Sequence, residues 1–134
     1  MPAFGAQSRA ILNTCDVRLR SVCDIVVVEY DIAILPLGGH RGRAEQERLF
    51  AEGKTKVQWP DSMHNFEPSM AVDCAPYPID WDDARRFIYM AGLMLGTARS
   101  LGLKLRWGGN WDQDQVIIDD QNFNDLPHFE IVGI

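Results

Sequence analysis

The stretch Ser62-Met63-His64-Asn65-Phe66-Glu67-Pro68-Ser69-Met70-Ala71-Val72-Asp73-Cys74-Ala75 passes from a turn-rich segment into a short apolar one, and the chain organises around it. Ala71–Ala75 is interrupted only by Asp73, and Pro76 and Pro78 stop regular structure behind it, which predicts a brief strand. Residues 53–70 before it read as loop.

Upstream, Leu19, Val22, Cys23 and Val26 recur at helical spacing within Asp16–Glu29 and predict an amphipathic helix. The apolar run Ile32–Leu37 reads as a strand that Pro36 makes an edge or a strand end. After a turn at Gly38-Gly39, the helix formers of Ala44–Glu52 stop at Gly53. Downstream, Asp80 is a suitable N-cap for a long helix to about Leu101, with Phe87, Met90, Ala91, Met94 and Ala98 as its buried stripe and Gly102 beyond its end. Leu103–Trp107 and His128–Val132 read as further strands, separated by Gly108-Gly109 and a polar loop. No βαβ repeat appears. The order predicts one α+β domain over 1–134, with a small, largely antiparallel sheet packed with helices.

A length of 134 residues with 46% hydrophobic and 24% charged side chains suits one folded domain with one core. Three cysteines, Cys15, Cys23 and Cys74, without paired metal spacing fit reduced thiols rather than a disulfide framework. The start Met-Pro-Ala-Phe-Gly-Ala-Gln lacks the features of a signal peptide, and no segment has the length to span a bilayer. The expectation is a soluble protein, cytoplasmic as synthesised and without membrane insertion. A net charge of −6 argues against nucleic acid as partner. All of the excess lies after Trp107, in Asp112, Asp114, Asp119, Asp120, Asp125 and Glu130.

Chemistry concentrates in few residues. Two of the three histidines, His64 and His128, sit beside carboxylates. Catalytic zinc takes three ligands from His and Asp or Glu and leaves a fourth position open, and His64, Asp73 and His128 supply such a set. On spacing alone, a surface pair or a cap explains His64 and Asp73 equally well. Asp125 by itself reads first as a turn residue in Asn124-Asp125-Leu126-Pro127. Glu130 lies on the same side of a strand as His128, as a support for it or as a surface carboxylate. Trp107 and Trp111 flank Gly108-Gly109 and either wall a cleft or pack in the core. The run Asn110, Asp112, Asp114, Asp119 and Asp120 has Gln115 and Val116 where a calcium loop needs glycine and a ligand, so a solvated acidic loop is preferred.

Taken together, Gly39-His40-Arg41, Gln46, the stretch from Ser62 to Asp73, Trp107-Gly108-Gly109 and Asp125-Leu126-Pro127-His128-Phe129-Glu130 resemble the zinc D-Ala-D-Ala carboxypeptidase and L-alanyl-D-glutamate endopeptidase family. The phage endolysins of that family are the nearest resemblance, and Pro68-Ser69 matches their longer spacing between the first His and the Asp. The resemblance covers about residues 37–131. It implies the D-Ala-D-Ala carboxypeptidase/Hedgehog-like fold with zinc at the sheet. It further implies that His64, Asp73 and His128 bind the metal and that Asp125 is the general base for water attacking a peptide carbonyl. Arg41 is implied to stabilise developing charge on the substrate, and Ser62 to orient the site or touch substrate, with a plain loop role as its alternative. His40 has no counterpart among the ligands.

The implied activity is hydrolysis of a peptidoglycan stem peptide by a monomer, most like an L-alanyl-D-glutamate endopeptidase. A D,D-carboxypeptidase and a non-catalytic, zinc-stabilised cell-wall-binding module are the alternatives. A lysis role implies release across the inner membrane by another protein, after which the chain acts on the cell wall.

Overall fold

A computed structural model describes residues 2–114, 116–119 and 124–133. Helices α1 (Ala6–Leu12) and α2 (Val17–Glu29) lead into strand β1 (Ile32–Ile34), then α3 (Arg43–Ala51), a 3₁₀ turn at Met63–Asn65, β2 (Ala71–Pro76), α4 (Ala84–Ser100), β3 (Leu105–Gly108) and β4 (Asp125–Ile131). The strands form one antiparallel sheet in the order β1-β2-β4-β3. This is the α+β arrangement that the mixed element order predicts.

Strand alternation divides the sheet into two faces with different work. Val72 and Cys74 of β2, Phe129 and Ile131 of β4, and Leu105 and Trp107 of β3 are buried in the hydrophobic core. They share it with Leu19, Val22, Cys23 and Val26 of α2 and with the stripe Phe87, Met90, Ala91, Met94 and Ala98 of α4. The alternate residues Asp73, His128 and Glu130 are therefore carried to the other face. β2 is shared between neighbours: Ala71–Asp73 pair with Glu130–His128 of β4, while Cys74–Pro76 pair with Ile34–Ile32 of β1.

Several boundaries differ from the sequence expectation for identifiable reasons. β1 ends at Ile34 because Pro36 has no N–H to donate and Leu37 turns to a φ of 58°. It is an edge strand, as Pro36 suggests. β4 begins at Asp125 rather than His128 because pairing with β3 extends past the residues paired with β2. Pro127 falls in that extension, where its missing N–H removes no β2–β4 bond. Asp80 does not cap the long helix. Its Oδ1 accepts from the Asp82 N–H at 3.0 Å in a local turn, Trp81 stacks on Phe87, and the N-cap is Asp83. Gly102, at a φ of 76°, follows the helix end. α1 and the 3₁₀ turn have no counterpart in the sequence expectation; both are too short to show a period.

Asp16 caps α2, accepting from the Arg18 N–H at 2.9 Å. The three thiols are buried and unpaired with one another. Burial, then the neighbouring Cys23, pushes Cys15 up to about 12, and a hydrogen bond with Cys23, together with burial, pushes Cys74 well above the usual thiol range. The native protein is therefore expected to resist a thiol reagent at pH 8 that labels all three cysteines once it is unfolded. Native labelling at the rate of free cysteine would contradict this packing.

Candidate metal centre and active site

His64 lies in the 3₁₀ turn, which Ser62 caps by accepting the His64 N–H at 3.1 Å. The side chain is almost fully enclosed, and its Nδ1 lies 2.8 Å from the Gly39 carbonyl oxygen. A carbonyl only accepts, so Nδ1 donates to it and Nε2 is the ring atom left facing the other way. His128 is arranged in reverse: Nε2 lies 2.7 Å from Glu130 Oε1, which leaves Nδ1 facing His64. Asp73 accepts from Arg41 Nη2 at 2.8 Å through Oδ2, which leaves Oδ1.

These three remaining atoms converge. His64 Nε2 is 3.2 Å from Asp73 Oδ1 and 3.3 Å from His128 Nδ1, and His128 Nδ1 is 3.1 Å from Asp73 Oδ1. With bonds of about 2.0–2.1 Å, the corners of a tetrahedral zinc site stand about 3.3 Å apart. Three electron pairs aimed at one point also repel unless a cation sits between them. The donor chemistry and the spacing thus fit a metal ion, and among the described residues this is the one His/Cys/Asp/Glu cluster that does. Burial alone would raise the Asp73 carboxyl, but the charge of His64 and hydrogen bonds from both histidines outweigh it and hold Asp73 well below the usual carboxylate range. Burial depresses His128, yet hydrogen bonds to Asp73 and Glu130 prevail and lift it to about 9.

A ring of supporting contacts holds each of these three candidate ligands. Arg41 spends Nε on the Leu37 carbonyl at 2.7 Å and Nη2 on Asp73, so the structure places it against a ligand. Glu130 accepts from Arg106 Nη2 at 2.6 Å as well as from His128. Neither Arg106 nor the Gly39 carbonyl stands out in the sequence, because each acquires its role only from a partner far along the chain.

Asp125 reaches the site by a break in the sheet. Strict alternation would send residues 125 and 128 to opposite faces. However, Trp107 pairs with Phe129 while the next residue, Gly108, pairs with Asp125, so three residues of β4, Leu126 to His128, are skipped by β3. Trp107 pins this bulge by donating from Nε1 to the Leu126 carbonyl at 2.7 Å. Its ring lies in the core and does not line the site, whereas Trp111 covers His128 with ring centroids 5.4 Å apart. The Asp125 carboxylate makes no side-chain hydrogen bond or ion pair with any described residue. Burial, and then the negative charge of Asp73, raise its carboxyl, opposed by His128, His64 and Arg41.

A Cβ at Gly108 would overlap the Asp125 carbonyl oxygen. Gly108→Ala is therefore expected to displace Asp125 and lower activity more than metal affinity. Assays of turnover and of metal content on the same preparation check this, and an unchanged turnover would show that the bulge is dispensable.

The cluster forms the floor of a cavity of 970 Å³ also lined by Asp125, Arg41, Ser62, Trp81 and Trp111. His40 stays outside the cluster, with Nδ1 2.9 Å from the Phe66 carbonyl. In the acidic run, Asp112 and Asp114 accept backbone N–H groups of Asp114 and Val116, while Gln115 and Asp120 lie outside the described residues.

A buried His/Asp/His cluster on the open face of a small antiparallel sheet, with a carboxylate beside it in a deep cavity, has the layout of a metal-dependent hydrolase. The model of the family described as phage L-alanyl-D-glutamate peptidase matches residues 2–132, and the chain belongs to that family. The L-alanyl-D-glutamate peptidase of Escherichia phage T5 is 29% identical over 136 residues, covering 96% of this chain and 97% of that protein. The crystal structure of the Serratia marcescens L-Ala D-Glu endopeptidase ChiX matches the fold with a TM-score of 0.75 at 21% identity, over 97% of this chain and 90% of that one. No helix among the described residues is long and apolar enough to cross a membrane.

Proposed function

We propose that this chain is a zinc-dependent endopeptidase that cuts the L-alanyl-D-glutamyl bond of peptidoglycan stem peptides and serves phage lysis. The observation that carries the reading is the convergence of His64 Nε2, Asp73 Oδ1 and His128 Nδ1 on the floor of the cavity that Asp125 also lines.

His64, Asp73 and His128 hold the zinc ion. When bound there, zinc supplies Lewis acidity, which brings the ionisation of water toward neutral pH and polarises a carbonyl. Asp125 takes a proton from the attacking water and returns it to the departing amine. A carboxylate without a hydrogen bond to any described residue, shifted upward by burial, suits a group that must both accept and give. Arg41 and Glu130 orient the ligands, and Trp111 shields His128 from solvent. Acting as a monomer, the enzyme reaches its substrate after release across the inner membrane.

Mass spectrometry of purified peptidoglycan treated with the zinc-loaded protein tests this. The expected products are peptides that begin with D-glutamate. Free D-alanine instead would identify a D,D-carboxypeptidase, and no new termini at all would leave a binding module.

A further inference from the structure

The cavity gathers basic side chains in an acidic chain. Arg41, Arg48, Lys54, Lys56 and Arg106 line it, 5 of the 13 Lys and Arg, against Asp61, Asp73, Asp125 and Glu130, 4 of the 19 Asp and Glu. Arg41 and Arg106 are committed to Asp73 and Glu130 at 2.8 and 2.6 Å. The wall drawn from residues 48–64 then holds Arg48, Lys54 and Lys56 against Asp61. Arg48 Nη1 and Lys54 Nζ lie 3.5 and 3.2 Å from the same Glu52 Oε1, and both pairs are solvent-exposed. Such pairs are weak and exchange readily for a better-placed anion.

The wall is tied to the metal centre. Gln46, fully buried in α3, donates from Nε2 to the Val57 carbonyl at 2.6 Å, and its Oε1 accepts from Asn65 Nδ2 at 3.3 Å, next to His64. The 54–57 loop and the metal turn are thus held in one frame.

We propose that Arg48, Lys54 and Lys56 bind the carboxylates of the stem peptide on the D-glutamyl side of the scissile bond, and so set the direction in which the peptide lies. This rests on the peptidase reading, under which the D-glutamyl residue, linked onward through its side chain, keeps a free α-carboxyl group. Lysine and arginine on the rim draw such an anion in and hold it by charge-assisted hydrogen bonds.

Four synthetic stem peptides test the idea, with the D-glutamyl α-carboxyl and the terminal carboxyl each supplied as acid or amide. Amidation is expected to lower the parent's kcat/KM about tenfold, the worth of one hydrogen bond to a charged group. Lys54→Met/Lys56→Met should bring the acid-to-amide ratio near one, mainly through KM, and Lys54→Arg/Lys56→Arg should restore it. Lys104→Met, which removes an exposed lysine outside the cavity, should leave the parent's ratio. Loss confined to the α-amide places the wall against the glutamyl carboxylate, and loss confined to the terminal amide places it further out; either supports the proposal. Equal values for all four peptides overturn it, as does a double Met variant with the parent's ratio. Calorimetric titration of the same peptides into zinc-loaded Asp125→Asn protein keeps the two readings apart. Preference for the acid without any cleavage by the parent would sink the activity and keep the wall, and cleavage without preference would do the reverse.

Discussion

Replacing Asp125 with asparagine is expected to lower turnover by about 10²- to 10⁴-fold, the range that a positioned general acid–base group contributes. The fold and the metal content should remain those of the parent. Asparagine keeps the shape of the side chain, and the Asp125 carboxylate makes no side-chain hydrogen bond or ion pair with a described residue whose loss would disturb the sheet. The three candidate ligand atoms come from other residues. Glu130, the other carboxylate on β4, cannot take over. Its Oε1 is engaged by His128 and its Oε2 by Arg106. An Asp125→Asn protein with the parent's turnover would show that proton transfer lies elsewhere.

His128→Ala is expected to do the opposite to metal and the same to turnover. It removes one of three ligand atoms, so zinc affinity should drop by more than the roughly 10- to 100-fold that loss of a supporting contact costs, and hydrolysis should become undetectable. The buried Glu130 Oε1 also loses its partner, a cost of about 1–3 kcal/mol for a group left unsatisfied. Because a ligand that binds only the native state stabilises it, zinc should raise the melting temperature of the parent and of Asp125→Asn but not of His128→Ala. Equal zinc content and equal thermal shifts in the two variants would refute the ligand assignment.

Much of the fold was legible because its long elements announce themselves by period. The apolar spacing of α2 and the stripe of α4 each reappear as buried faces. The placement of Asp73 in a short strand, flanked by core residues, was equally readable. Legibility failed where one side chain had two uses. Asp80 carries the signature of a helix cap but spends its oxygen on a turn, since Trp81 is drawn onto Phe87. Trp107 beside two glycines suggests a cleft wall, yet strand pairing with Phe129 turns it into the core and its indole N–H to the bulge.

By itself the sequence determined the α+β class, the family resemblance and which few residues were able to carry chemistry, because these depend on residue type and local spacing. Only the tertiary structure decided what each of them touches. Which lone pairs of His64, Asp73 and His128 face the centre follows from a carbonyl of Gly39, a guanidinium of Arg41 and a carboxylate of Glu130. That Asp125 shares a cavity with His128 follows from three residues of β4 that β3 skips, against the alternation that its own strand implies. Alternation orders a strand relative to itself; register, bulges and loop closure choose its neighbours, and those choices are made between residues 17 to 64 positions apart.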